Sequence, residues 1–143
     1  MYYARMAFTF AHAVVTQASP EDLWRLYADP ATWPSWDPDA EYVTLDGPFA
    51  TGSGGTMKFT GQDPLTYVLE DVDPHRSFTD VTSVPGATIR FGHRIEPTDE
   101  GTRFTHELRI DAAEPFAQEL GAMISADIPD SMIRLAQLAM EAA

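Results

Sequence analysis

Two histidines occupy strand positions from which they could do chemistry. A large apolar residue stands two positions before His93 and another stands two positions after it. The same is true of His106. Because successive side chains of a strand point to opposite faces, this spacing predicts that both imidazoles point inward with the apolar set. Histidine has the side-chain pKa nearest neutrality, so an inward pair is suited to proton transfer or to orienting a ligand.

The apolar phase also predicts how the strands around these histidines pair. Aligning Ile95 with Phe104 places His93 directly opposite His106. Carried back through the next turn, the same register makes Asp80 a diagonal neighbour of His93, at about 7–8 Å between backbones. A carboxylate at that distance could fix the tautomer of an imidazole. The same face is predicted to carry two further polar side chains, Tyr67 and Thr82.

A well-marked helical segment precedes these strands. Ser19 suits an N-cap, Pro20 suits the first helical position, and acidic residues fill the first turn. An apolar helical stripe follows over positions 23–27, and Asp29-Pro30 ends the helix. Trp33 and Trp36, three residues apart, indicate a second short helical turn.

The rest of the chain reads as consecutive strands followed by one long helix. Alternation and turn signals predict strands at 7–16, 41–45, 56–60, 65–72, 76–84, 87–96 and 102–111. Apolar residues then recur at helical spacing from Phe116 to Ala139, and Pro129 is expected to kink this helix. The pattern predicts an α+β domain with an antiparallel sheet of about seven strands.

The segment from Ser19 to Trp36, followed by those strands and the terminal helix, resembles the START-like helix-grip superfamily, also called SRPBCC. Within that superfamily it is most similar to the polyketide cyclase/dehydrase branch. The resemblance implies a curved sheet wrapped around a long C-terminal helix, with a cavity between them. It also implies that the first strand borders the last, which would bring His12 near His106.

Length and composition are consistent with one such domain. We expect a single domain over residues 7–143, preceded by an N-terminal extension of residues 1–6. The net charge of −13 argues against nucleic acid or an anionic membrane as a partner, and the absence of cysteine excludes thiolate chemistry. No signal-peptide core or membrane span is evident, so a cytoplasmic location is expected. No cofactor is predicted, and the oligomeric state is left open.

Three interpretations of the inward polar residues are open. They could be core polar groups satisfied by one another or by buried water. They could orient a ligand or move protons, with His93, His106 and Asp80 as the catalytic candidates. His12, His93 and His106 could instead bind a metal, but neighbouring strands lie about 4.8 Å apart, so three histidines in a row would splay. No metal site is therefore predicted.

A cavity in this fold would be lined mainly by apolar side chains from the sheet and the helices. We expect the ligand-binding residues to be His12, Trp33, Trp36, Met57, Phe59, Tyr67, Phe78, Thr82, Phe91, Met123, Ile124, Ile128 and Met132. Aromatic rings and flexible methionines suit a loosely shaped apolar ligand.

Three functions follow from these expectations. The first is binding of a small hydrophobic, aromatic or polyketide-like molecule between the sheet and the C-terminal helix. The second, implied by the resemblance, is cyclisation or dehydration of a polyketide, with His93 or His106 moving the proton, Asp80 orienting it and Tyr67 holding a carbonyl. The third is a protein-interaction module whose cavity is vestigial.

Overall fold

Seven antiparallel strands form one sheet in the computed structural model, which describes residues 5–141. The strands are β1 (Arg5–Thr16), β2 (Ala40–Asp46), β3 (Gly54–Phe59), β4 (Leu65–Asp73), β5 (Ser77–Val84), β6 (Ala87–Thr98) and β7 (Gly101–Ala113). Their order is β1-β7-β6-β5-β4-β3-β2, so β1 lies beside β7 and β2 lies at the opposite edge. The chain must therefore cross the sheet between its first two strands.

The crossing is made by the helical segment that the sequence marks so clearly. It consists of α1 (Pro20–Tyr27), a 3-10 turn (Pro30–Thr32) and α2 (Trp33–Trp36). Ser19 forms a capping box with Asp22: the Asp22 amide donates to Ser19 Oγ over 3.1 Å, and the Ser19 amide donates to Asp22 Oδ2 over 3.4 Å. At the other end of α1, Thr32 Oγ1 donates to the Leu26 carbonyl over 2.8 Å, which holds the turn into α2.

The C-terminal region is bent where Pro129 predicts a bend. Two helices, α3 (Phe116–Ser125) and α4 (Ile128–Glu141), replace the single kinked helix. Pro129 is the second residue of α4, a position at which its missing amide hydrogen is not needed for a helical hydrogen bond. Helix α3 packs on β1 and β7, and α4 packs on α1, α2 and β1.

The predicted strand register is the one observed. His93 pairs with His106, Ile95 pairs with Phe104, and His12 pairs with His106 from the other side. Strand ends differ from the sequence expectation by one to two residues; for example, β1 begins at Arg5 instead of residue 7. No helix of the described chain is long and apolar enough to cross a membrane.

The core fills the concave side of the sheet beneath the helices. Its largest fully buried side chains are Leu23, Tyr27, Tyr67, Leu69, Phe78, Phe104, Leu108, Ile110, Met132 and Leu135. Most of them occupy the inward-facing positions that alternate along the strands, and the others come from the apolar stripes of α1 and α4.

Gly121 sets how closely α3 approaches the sheet. A Cβ atom at Gly121 would lie 2.2 Å from the ring of Phe8 on β1, far inside van der Waals contact. The absence of a side chain at this one helical position therefore lets α3 lie directly on the aromatic ring.

We expect Gly121→Ala to lower the free energy of unfolding by up to about 2 kcal/mol. Alanine favours the helix by about 1 kcal/mol over glycine, but overpacking against Phe8 costs about 1–3 kcal/mol and outweighs it. Urea denaturation measures the change, and Gln118→Ala on the exposed face of α3 is the control. In a Phe8→Leu background the loss should shrink, and an equal loss in both backgrounds would contradict the contact.

Candidate functional site

One hydrogen bond fastens the helical segment to the concave face of the sheet. The Tyr27 hydroxyl, at the end of α1, lies 2.7 Å from His106 Nε2 on β7. Burial raises the pKa of Tyr27, so its hydroxyl keeps its proton, and the tautomer of His106 sets which of the two groups donates the hydrogen bond. Trp33 Nε1 donates to the Tyr27 carbonyl over 3.0 Å and thereby holds α2 against the same residue.

His93 lies beside this pair and is held by Phe78. The two rings stack with centroids 4.0 Å apart and an interplanar angle of 7°. His93 Nδ1 lies 3.3 Å from the Phe78 carbonyl, so the tautomer that donates there leaves Nε2 as an acceptor. The rings of His93 and His106 are edge to face at 4.7 Å. Neither imidazole is free to rotate without breaking these contacts.

Burial keeps both imidazoles neutral. It lowers the pKa of His93 to about 3, against the opposing effect of hydrogen bonds to the backbone of Phe78 and Phe91. It lowers the pKa of His106 well below its usual range, and the nearby His93 and His12 act in the same direction. A protonated pair would place two positive charges in an aromatic core.

Asp80 on β5 is the remaining member of this group. Its Oδ2 lies 3.9 Å from His93 Nε2, which is too long for a hydrogen bond. Burial raises the pKa of Asp80 to about 7, and the negative charge of Asp37 adds to the effect. Because His93 stays neutral, the pair is best described as a neutral imidazole facing a carboxyl that is half protonated near neutral pH.

The side chains of Asp80, His93 and His106 form the inner wall of a pocket under α2. The pocket has a volume of about 70 Å³ and is lined by Trp33, Trp36, Asp37, Ala40, Val43, Met57, Phe59, Asp80, Phe91, His93 and His106. Its walls come from the α2 segment, from β2 and β3 at one edge of the sheet, and from the centre of the sheet. The cavity is lined mainly by aromatic and aliphatic side chains, together with the carboxyls of Asp37 and Asp80 and the imidazoles of His93 and His106.

One residue of the pocket lining carries a buried donor without a partner among the described residues. Trp36 Nε1 is enclosed and has no hydrogen-bond acceptor among the described residues. Leaving a buried indole N–H without an acceptor costs about 1–3 kcal/mol. A ligand or water that accepts a hydrogen bond from Trp36 Nε1 would remove this cost.

The structure brings together part of the predicted site. The predicted residues that line the pocket are Trp33, Trp36, Met57, Phe59, Asp80, Phe91, His93 and His106. Tyr67, Phe78 and Thr82 are buried in the core instead. The hydroxyl of Tyr67 donates to the Thr44 carbonyl over 2.7 Å and is not available to hold a ligand carbonyl in the pocket.

The predicted contribution of the C-terminal helices is not observed. Met123, expected in the core or the cavity wall, is 58% exposed on α3. Ile128 and Met132 are buried, Ile124 is half-buried, and none of the three lines the pocket. The reason is that α2 covers the cavity, whereas α3 packs on β1 and β7 and α4 packs on α1, α2 and β1. His12 is half-buried on β1, beyond His106 and outside the pocket lining.

Sequence reasoning missed Tyr27, Asp37, Ala40 and Val43. Tyr27 belongs to the apolar stripe of α1, and nothing in that stripe shows which residue will meet a histidine 79 positions later. Of the four, Asp37 is the residue that the sequence could most easily have indicated, because it directly follows the Trp33–Trp36 turn expected at the cavity. Burial raises the pKa of Asp37 to about 6, against the opposing effect of a hydrogen bond with the backbone of Asp39, and the negative charges of Asp39 and Asp127 add to the rise.

The family model described as polyketide cyclase/dehydrase and lipid transport matches residues 7–139. The chain belongs to this family. The match confirms the resemblance to the START-like helix-grip superfamily that the sequence suggests. No curated protein sequence matches the chain.

Solved structures show that this family member shares its fold with distant proteins. Truncated norcoclaurine synthase from Thalictrum flavum aligns over 99% of this chain and 98% of its own, with a TM-score of 0.76 and 15% identity. Protein MLL2253 from Mesorhizobium loti aligns over 95% and 99%, with a TM-score of 0.77 and 17% identity. Ara h 8.0201 aligns over 95% and 99%, with a TM-score of 0.75 and 12% identity. At such identities the likeness concerns the fold alone.

The raised pKa of Asp80 predicts a specific pH dependence of stability. Between about pH 4 and about pH 7 the folded protein holds a proton on Asp80 that the unfolded chain has released, so this stabilising contribution is lost as the pH rises. His93 and His106 act in the opposite direction: below about pH 6.5 the unfolded chain binds protons that the buried imidazoles do not, so stability falls with falling pH.

We therefore expect Asp80→Asn to become more stable relative to the natural protein as the pH rises from about 4.5 to about 7, by on the order of 1 kcal/mol per pH unit, and the difference to level off above that pH. Urea denaturation across this range measures the difference. Asp99→Asn, on an exposed turn, controls for the loss of one negative charge. If the Asp80→Asn difference tracks that control at every pH, the carboxyl is not perturbed by burial.

Proposed function

We propose that this family member binds a small, mostly apolar cyclic molecule in the pocket beneath α2. The observation that carries the proposal is the composition of the pocket wall, in which four aromatic rings surround polar groups left without partners. Asp80 Oδ2 lies 3.9 Å from His93 Nε2, beyond hydrogen-bond distance, and Trp36 Nε1 has no acceptor among the described residues. A ligand with an apolar ring and one polar substituent matches both features.

The ligand must open the pocket to enter it. The volume of about 70 Å³ accommodates a few waters, since one water needs about 10–15 Å³. Ordinary ligand pockets begin at roughly 300 Å³. Phe59 and Phe91 line the cavity and are only half-buried, so rotation of these two rings is the simplest way to enlarge it.

Relatives support a ligand of this class. The family description includes lipid transport. A structure of norcoclaurine synthase from Thalictrum flavum contains dopamine and hydroxybenzaldehyde, both of them small aromatic molecules. Fold similarity alone does not transfer function, so the proposal depends on the pocket of this chain.

Binding is tested with indane and 2-indanol, which share a compact bicyclic skeleton. Isothermal titration should show that the natural protein binds both. Ala40→Leu places extra carbons in the pocket and should weaken binding roughly tenfold or more, because about 1.4 kcal/mol of lost contact gives that factor. Val68→Leu, at a 45% exposed position on β4, is the matched control and should bind normally.

Native mass spectrometry of the purified protein beside the denatured protein complements the titration. A small organic mass that is lost on denaturation would identify the natural ligand class. If neither indane compound binds and the purified protein is empty, the binding function is wrong, and the interaction module with a vestigial cavity becomes the better account.

A second candidate function is acid–base catalysis on a bound carbonyl compound. It is favoured by Asp80, whose pKa of about 7 is matched to proton transfer near neutral pH. As a carboxylate, Asp80 would take the proton next to a ligand carbonyl, and the electron pair of the broken C–H bond would move to the carbonyl oxygen as an enolate. Trp36 Nε1 is the unpartnered donor at the pocket that could stabilise this oxygen. Enolate formation is the first half of an aldol cyclisation or a dehydration.

Hydrogen–deuterium exchange at the α carbons of 2-indanone tests this chemistry directly. In deuterated buffer the natural protein should accelerate exchange, and Asp80→Asn should reduce the rate by about 100-fold, the usual contribution of a positioned acid or base. The fall in rate should exceed any fall in affinity measured by titration. Equal exchange rates in both proteins would remove the catalytic candidate and leave binding intact.

A further inference from the structure

The carboxyl groups of the pocket face no cationic side chain. Asp37 and Asp80 both line the cavity, and neither lysine nor arginine is among the lining residues. Within residues 5–141, the ion pairs formed by lysine and arginine involve other carboxylates, mainly on the outer face of the sheet. Two acidic groups therefore line a mainly apolar cavity, and no lysine or arginine of the described residues lines it with them.

Asp80 is the more buried of these two groups, with a side-chain exposure of 10%. A carboxyl buried this far is normally hydrogen-bonded, because removing it from water without a partner is costly. Its neighbours cannot supply a strong donor: His93 on β6 is committed to the Phe78 carbonyl, and His106 on β7 is committed to Tyr27. On the side of β4, the Tyr67 hydroxyl donates to a backbone carbonyl. No hydrogen bond to Asp80 is found among the described residues, so a donor on a ligand in the cavity would supply one.

The two carboxyls also repel one another through the cavity. The negative charge of Asp37 contributes to the raised pKa of Asp80. The negative charges of Asp39 and Asp127 act on the pKa of Asp37 in the same direction as its burial, while a hydrogen bond with the backbone of Asp39 lowers it. A positive charge placed in the cavity would relieve this repulsion and favour the ionised form of both groups.

The remaining walls suit a cation that is attached to an apolar body. Trp33, Trp36, Phe59 and Phe91 present aromatic rings to the cavity, and the face of an aromatic ring attracts an ammonium group. A bare metal ion would gain little from such walls and would look for a cluster of close ligands. No group of three or more metal-binding side chains with suitable geometry is found among the described residues.

We propose that the ligand of this pocket is a small cyclic amine in its protonated form, with the ammonium group between Asp37 and Asp80 and the ring against the aromatic walls. This inference rests on the proposed binding function and specifies the chemical class of its ligand. The ammonium donates to the Asp80 carboxylate and neutralises the charge of Asp37, while the rings bury the hydrocarbon part.

The test compares three compounds that share one skeleton and differ in charge: 2-aminoindane, 2-indanol and indane-2-carboxylate. Isothermal titration is carried out near neutral pH in about 0.15 M NaCl, so that general attraction to the acidic protein is screened. The amine should bind roughly tenfold or more tightly than the alcohol, since charge-assisted hydrogen bonds are about twice as strong as neutral ones. The carboxylate should bind least tightly.

Amine binding should also release protons. Because the ammonium favours the ionised carboxyls, the observed heat should differ between two buffers with different ionisation enthalpies, whereas the heat of 2-indanol binding should not. The preference for the amine over the alcohol should decrease as the pH falls towards about 5 and the carboxyls become protonated.

Variants separate the pocket carboxyls from the overall charge. Asp80→Asn and Asp37→Asn should each reduce the ratio of amine affinity to alcohol affinity several-fold. Asp63→Asn, in the exposed turn between β3 and β4, removes the same charge and should leave the ratio unchanged. A preference that falls equally in all three variants would overturn the assignment, because it would reflect the net charge of −13 and not the pocket.

The outcomes distinguish this inference from the binding function beneath it. If 2-indanol binds and 2-aminoindane binds no more tightly, the amine assignment is wrong and the apolar pocket stands. If none of the three compounds binds, both are wrong. If Zn²⁺ alone binds in a manner that requires Asp80 and is reversed by EDTA, while the amine shows no preference, the carboxyls serve a metal and the assignment is overturned.

Discussion

The hydrogen bond between the Tyr27 hydroxyl and His106 Nε2 joins the end of α1 to the centre of the sheet. Trp33 extends the connection by donating to the Tyr27 carbonyl, which places α2 over the concave face. The pocket is the space left between α2 and the sheet under this attachment. Since both partners are fully enclosed, each would leave the other with an unpaired polar atom if it were removed, and such a loss costs about 1–3 kcal/mol.

Burial in an aromatic environment then decides the charge of every polar group nearby. It keeps the two imidazoles neutral and holds the carboxyl of Asp80 between its two protonation states near neutral pH. The same burial that would destabilise an ion therefore creates a group whose protonation can respond to a ligand. Asp37, directly after α2, acts on Asp80 through its negative charge, and it is itself acted on by the negative charge of Asp127 at the junction of α3 and α4.

The fold is shared with proteins that are 12–17% identical to this chain, so the helix-grip architecture tolerates almost complete replacement of its side chains. The proposals on the ligand depend on the cavity of this chain. Among the described residues, its lining holds two carboxyls without a lysine or arginine and a tryptophan donor without an acceptor.

Local patterns in the sequence are enough to predict the elements, the strand register and the inward position of His93, His106 and Asp80. These follow from local rules: the period of alternation fixes the face of each strand, and the capping residues fix the start of α1. No local pattern predicts that α2 docks over the concave face while α4 packs on α1, α2 and β1. That arrangement brought Tyr27 and Asp37 to the site and left Met123 in solvent. The docking of a helix depends on contacts between residues far apart in the chain, here Tyr27 with His106 and Gly121 with Phe8, and no local pattern encodes which of its apolar side chains will meet which partner.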